Sequence, residues 1–183
     1  HAENSDMIDY FEAKFKKEGN LSPWYHYLAR QEFVEAEADR RALHWCKHLD
    51  APLYIVHMAD KEGLEACIEG KKEGVPIYVE TCPQYLEFTC EVYKREDGRN
   101  FVCSPPIKGE ESRQALWEAI KKNQIDVVAT DHCPFQSYEK DWGIDDFTKI
   151  PNGCAGVENM YPYMLDAANS GKITFQQAVA LCS

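Results

Sequence analysis

A chain of 183 residues and 21.0 kDa is long enough for one ordinary core and short of the roughly 250 residues of a full eight-fold α/β barrel. Its 44% apolar and 12% aromatic content excludes a disordered polymer. A net charge of −11 with a pI near 5.0 excludes nucleic acid and anionic membrane surfaces as principal partners.

No apolar run approaches the roughly 20 residues that span a bilayer, and no leader pattern opens the chain. The eight cysteines are scattered singly without a Cys-x-x-Cys pair. Cys67, Cys103 and Cys182 stand in apolar contexts that suit reduced, buried thiols, so a reducing, cytoplasmic setting is expected.

The chain opens at His1-Ala2-Glu3-Asn4, which reads as the rim of a strand whose body would precede it. Residues 6–17 carry Ile8, Phe11 and Phe15 at helical spacing, stopped by Gly19-Asn20. An aromatic stretch over 21–30 (Trp24, Tyr25, Tyr27) reads as a loop whose rings pack on a core or an interface. A strong amphipathic helix is expected over 32–49, broken by Asp50-Ala51-Pro52. Strand 53–57 ends in His57, and a helix over 61–73 leads through Gly74-Val75-Pro76 into strand 77–81. A long excursion follows, with a short extended piece at 101–106 forced by Pro105-Pro106. A helix over 110–123 then feeds the apolar, β-branched strand 125–130, which stops abruptly at Asp131-His132-Cys133-Pro134. A Gly- and Pro-marked loop over 141–156 precedes helices over 157–168 and from 174 onward. The chain stops at Ala180-Leu181-Cys182-Ser183, inside that last helix, so both ends are expected to be cuts within a longer protein.

Strands alternating with helices imply βαβ units, a parallel sheet and right-handed crossovers. Three internal strands, plus the one His1 would terminate, make four units. The expected fold is α/β: half of a (β/α)8 TIM-like barrel, with residues 1–183 as one partial catalytic domain. A doubly wound sheet is the alternative, but no Gly-x-Gly-x-x-Gly follows any strand.

His1, His57 and Asp131 each end a predicted strand. In a barrel those ends converge on one pocket, where imidazole and carboxylate together suit zinc or a similar divalent ion. Each also has a plainer reading. A lone strand-end histidine is commonly a hydrogen-bonded rim residue, and an Asp before a turn is commonly its cap. His26, His44 and His48 read as ordinary loop or helix-surface histidines.

Six segments together carry a family resemblance: His-Ala-Glu-Asn at 1–4, Tyr-Ile-Val-His-Met at 54–58, Glu-Thr-Cys-Pro-Gln-Tyr-Leu at 80–86, Cys-Ser-Pro-Pro-Ile-Lys at 103–108, Thr-Asp-His-Cys-Pro-Phe at 130–135, and Lys-Ile-Pro-Asn-Gly with Gly-Val-Glu at 149–158. In order and spacing the chain resembles the dihydropyrimidinase/hydantoinase family of metal-dependent amidohydrolases. Gln84 and the Lys-Ile-Pro-Asn-Gly loop favour it over allantoinases and dihydroorotases.

The resemblance implies a barrel with two divalent ions, most simply zinc, whose bound hydroxide opens cyclic amide or ureide rings such as 5,6-dihydropyrimidines and hydantoins. It places His1 and His57 on the second metal. Asp131 falls on the first metal and on the proton transfer to the leaving nitrogen. Ser104 and Asn152 fall on backbone contacts to the substrate's amide edge, and Cys133 and Phe135 on the substrate side. Read without the resemblance, Ser104 simply starts the Pro-Pro turn and Asn152 serves an Asn-Gly turn. His132 is expected to point away from the metals and brace the rim.

Departures accompany the match. No His-x-His occurs in the chain, and the family's rim lysine and carbonyl-polarising tyrosine have no counterpart. Arg30-Gln31 stands where Arg-Pro is expected. The 183-residue chain alone is therefore expected to be inactive, while the parent hydrolyses a small cyclic amide and self-associates through its open sheet edges. The competing reading is a metal-free oligomeric scaffold of the same superfamily.

Overall fold

In the computed structural model, which describes all 183 residues, three parallel strands lie in the order β1 (Leu53–Ile55), β2 (Ile77–Thr81), β3 (Val127–Val128). The crossovers are α4 (Lys61–Lys72) and a longer route through α5 (Pro83–Glu87) and α6 (Glu110–Lys121). Before the sheet come α1 (Ser5–Lys17), α2 (Trp24–Ala29) and α3 (Glu32–Leu49); after it come α7 (Ser137–Lys140), α8 (Met160–Asn169) and α9 (Phe175–Cys182). The alternation of parallel strands and helices is that of part of a β/α barrel. No helix is long and apolar enough to cross a membrane.

One face of the sheet is buried and the other is open. Ile55, Ile77, Val79 and Thr81 point into the core, while Tyr54 and Tyr78 stand on the opposite face, their ring centroids 6.4 Å apart. This period-2 division follows from strand geometry. A parallel sheet is ordinarily covered on both faces; in this chain only the helical side is covered. β2 has the predicted bounds, while β1 and β3 are shorter than the sequence predicts because each pairs on one side only. The ladder itself reaches further: Met58 N–H donates to Glu80 O at 2.7 Å, and Ala129 N–H to Thr81 O at 3.0 Å.

Helix starts follow local chemistry. Asn4 caps α1 by accepting from Met7 N–H, Asp60 caps α4 through Gly63 N–H, and Thr174 forms a capping box with Gln177 at the head of α9. Asp126 does related work between strands. Its carboxylate accepts Val79 N–H at 2.7 Å and pairs with Lys71 Nζ at 2.5 Å, tying α4, β2 and the approach to β3.

Three expectations need correction. The aromatic stretch 21–30 contains a helix, α2, started by Pro23 and held by Trp24, Tyr25 and Tyr27 against the core. It has no side-chain cap and too few residues for a visible apolar period, so packing rather than propensity makes it. The excursion after β2 likewise winds into α5 and two 3-10 turns, Cys90–Lys94 and Gly98–Phe101. The later helix begins at Met160 rather than at residue 157.

Candidate active site

His57 stands two residues beyond β1 and Asp131 three beyond β3, both in the left-handed region, with φ of 43° and 44°. Non-glycine residues hold that conformation at a cost, and such residues concentrate at functional sites. His57 is 2% exposed. Its Nε2 faces His1 Nδ1 at 2.6 Å, and the ring centroids are 4.6 Å apart. Residues 56 positions apart in sequence thus present two imidazole nitrogens to one another.

Burial lowers the His57 pKa, opposed by the nearby Asp131 charge. The ring is therefore a neutral base at physiological pH, the form that ligates metals. Its Nδ1 is buried without a partner. The two facing imidazoles are nitrogen donors of the kind a divalent ion takes, and Asp131 contributes charge from farther away. Asp131 itself is exposed, and it does not join the two imidazoles in a set of three ligand atoms within 4.8 Å. Glu80 on β2 supports the rim from beneath, accepting His57 N–H at 3.4 Å and Tyr54 O–H at 2.7 Å.

A second group gathers beside this rim. Ser104 Oγ donates to Asn152 Oδ1 at 3.2 Å, and Gly153 N–H donates to Val102 O at 3.0 Å. Cys133 packs on Gly153, whose φ of 154° and missing Cβ both matter here. A Cβ at 153 would overlap the Cys133 carbonyl and lie 2.7 Å from Cys133 Cβ. Gly153→Ala is accordingly expected to destabilise the protein by about 1–3 kcal/mol through overpacking and backbone strain. It should also displace the Asn152 loop. Urea melts check the first effect, and a destabilisation below about 0.5 kcal/mol would show that the loop yields freely.

His132 turns away from His57. Its Nδ1 accepts Gly156 N–H at 3.0 Å and Val157 N–H at 3.3 Å, while Cys133 N–H donates to Cys154 O at 3.0 Å. Phe135 is also directed elsewhere. It lines a cavity of about 470 Å³ with Gln84, Phe88, Asn100, Phe101 and Lys140, and neither His1, His57 nor Asp131 borders that space. The structure therefore brings His1 to His57, and Ser104, Asn152 and Cys133 to one another, while Phe135 belongs to a separate cavity.

Three supporting features escape sequence reasoning. His26 is buried rather than on the surface, and its Nε2 bonds the Cys103 carbonyl at 2.8 Å. Burial drives its pKa down to about 3, so the ring is a neutral donor to that carbonyl, next to Ser104. Only its place between Tyr25 and Tyr27 hints at burial. His44 and His48 are exposed, as expected. Lys140, 3% exposed, donates to the carbonyls of Val102, Pro151 and Gly153 at 2.7, 2.6 and 2.9 Å. Nothing in Tyr138-Glu139-Lys140 marks that role. Glu35, Asp39 and Asp60 form a buried carboxylate group. The spacing of Glu35 and Asp39 on α3 is visible in sequence, their burial is not.

Against known proteins, the chain is 40% identical to the D-hydantoinase of Ralstonia pickettii over 185 aligned positions, 99% of this chain and 40% of that protein. It is 38% identical to an Escherichia coli D-phenylhydantoinase, again over 40% of the relative. The crystal structure of dihydropyrimidinase from Brevibacillus agri superposes with a TM-score of 0.95 at 37% identity, covering 99% of this chain and 40% of that one.

The chain is a homologue of the hydantoinases and dihydropyrimidinases.

The match to this hydantoinase group runs through every element described above and spans about 40% of the length of the curated relatives. An L-hydantoinase from Arthrobacter aurescens matches at 29% identity with a TM-score of 0.92. No family model matches the chain.

Proposed function

We propose that the protein is, in its whole form, a metal-dependent cyclic amidohydrolase that opens hydantoin- or dihydropyrimidine-type rings by adding water across a ring amide. The observation that carries this reading is the His1–His57 pair, held nitrogen to nitrogen at 2.6 Å on the rim of a hydantoinase-like chain. His1 and His57 would hold one divalent ion through neutral imidazoles, and Asp131 would ligate a second; zinc suits these donors. When bound, such ions supply a water-derived nucleophile at neutral pH and polarise the ring carbonyl.

The chain's own groups do the rest. The Asp131 carboxylate takes the proton released as water attacks, then gives it to the ring nitrogen as the C–N bond breaks. One C–O bond forms, one C–N bond breaks, and the proton ends on the leaving nitrogen. Ser104 and Asn152 would hold the substrate's amide edge through main-chain groups, which suit a planar ring with alternating N–H and C=O. Cys133 would contact the substrate beside them. Phe135 would act from the separate cavity and shape the site indirectly. His26 and Lys140 act as positioning residues, because they fasten the backbone just before Ser104 and on either side of Asn152.

The activity is assigned to the whole enzyme. The 183-residue chain alone, with neither His-x-His nor the rim lysine, is expected to be inactive. The open edges of β1 and β3 favour association with further barrel strands or with a second subunit.

The direct test is ring opening of hydantoin and of dihydrouracil by the full-length protein, before chelation, after chelation and after reloading with zinc. Loss on chelation and recovery on reloading are expected. A fully metal-loaded protein that opens neither ring would overturn the proposal.

A further inference from the structure

Away from the imidazole pair, α3 and the segment after β1 bring three carboxylates together in the interior. Glu35 is 2% exposed, and Asp39 and Asp60 are 0% exposed. One oxygen from each lies within 4.8 Å of the other two. Two oxygens have donors: Glu35 Oε1 accepts Ala59 N–H at 2.9 Å, and Asp60 Oδ1 accepts Gly63 N–H at 2.8 Å. Four have none, namely Glu35 Oε2, Asp60 Oδ2 and both oxygens of Asp39.

Asp39 is the decisive group. Its side chain is wholly inside the protein, aimed at Glu35 and Asp60, and neither oxygen meets a hydrogen-bond donor. A carboxylate in that position is costly unless a positive charge compensates it. The nearby ammonium is Lys108, whose Nζ lies 3.4 Å from Glu35 Oε2 and also donates to Arg30 O at 2.5 Å. The chain's amino terminus and Arg40 also act on Asp39 from farther away, so within salt-bridge reach three carboxylates face one ammonium. The backbone is fitted to the group as well. A Cβ at Gly63 would overlap Asp39 Oδ2 and lie 2.8 Å from Asp60 Oδ2.

We propose that Glu35, Asp39 and Asp60 form a structural site for a hard divalent cation of the calcium class, separate from the hydrolytic centre. Oxygens this close together can share one cation. An all-oxygen donor set selects calcium or magnesium over zinc, which prefers nitrogen and sulfur. The site is placed to matter. Asp60 follows His57 by three residues and Glu35 holds Ala59 N–H, so a cation here braces the His57 loop against α3. Protons compete for the same oxygens: burial, with repulsion between carboxylates, raises the Asp39 pKa to about 8, and burial raises that of Asp60 to about 6. Cation affinity is therefore expected to climb between pH 6 and pH 8.

Calcium binding by calorimetry and thermal melts at pH 7.5 test this on purified full-length protein, chelator-stripped and reloaded with saturating zinc. Wild type, Asp39→Asn and Asp60→Asn are compared, and Asn at 60 keeps the helix cap. Calcium at 100-fold above its dissociation constant is expected to raise the wild-type melting temperature by about 5 °C or more. Each variant should bind calcium at least tenfold more weakly, while melting no lower than wild type without calcium because like-charge repulsion is gone. If Asp39→Asn does not fold, Asp60→Asn alone decides. A wild-type protein without calcium heat or melting shift overturns the proposal, as does undiminished calcium binding in the folded variants.

Discussion

On the proposed activity of the whole protein, Asp131→Asn is expected to lower kcat for ring opening by about 10²–10⁴-fold, the range of a lost general acid–base group. KM should change much less. The substitution spares the packing, and because Asp131 would also ligate a metal, variant and wild type are compared at equal, saturating metal. Asp131 sits at φ 44°, and Asn tolerates the left-handed region as well as Asp does. Its side chain is exposed, so the amide meets no packing penalty. What disappears is a negative charge and a site that accepts and returns a proton. A pH–rate profile tests this alongside kcat: the acid-side limb should flatten with the rate loss. If Asp131→Asn retained more than a tenth of wild-type kcat, the proton-transfer role would have to go to another group.

Lys140→Met is expected to destabilise the fold by about 3 kcal/mol, with a melting-temperature drop of about 6–12 °C for a chain of this size. The Lys140 ammonium supplies donors to the Val102, Pro151 and Gly153 carbonyls. Val102 O keeps a second donor, Gly153 N–H at 3.0 Å. Pro151 O and Gly153 O would be left inside without one, at about 1–3 kcal/mol each. Removing a buried ammonium returns part of that cost, since burial already lowers the Lys140 pKa. The same three bonds join the segment before Ser104 to the loop that carries Asn152. A rise in KM in the whole enzyme should therefore accompany the stability loss. Urea denaturation is the measurement, and a change below about 1 kcal/mol would mean that water replaces the ammonium at those carbonyls.

Much of the frame is legible without coordinates. The helix over 32–49 stands where its apolar positions and the Asp50-Ala51-Pro52 break put it, and strand 77–81 ends where Cys82-Pro83 turns the chain. These elements are long or sharply bounded, so local periodicity and breakers suffice. Helix α2 is different: without a side-chain cap or a long period, it exists because Trp24, Tyr25 and Tyr27 find a core to pack on. His26 follows from α2, since a helix turned inward buries a histidine that a loop would have exposed.

Residue pattern is enough for the alternation of strands and helices, for the delivery of His57 and Asp131 to strand ends, and for the motif series shared with the hydantoinases. Folding is what brings His57 to His1, gathers Ser104, Asn152 and Cys133 into one group, and turns Phe135 to a cavity that His1, His57 and Asp131 do not border. It alone decided, too, that Lys140 and the Glu35–Asp39–Asp60 group lie inside. The physical reason is range. Side-chain periodicity reports which face of its own element a residue occupies, within a few residues of chain. Which faces meet across 50 or more residues, such as the 56 between His1 and His57, depends on crossover paths and on how polar groups find partners in the interior. No local pattern carries that information.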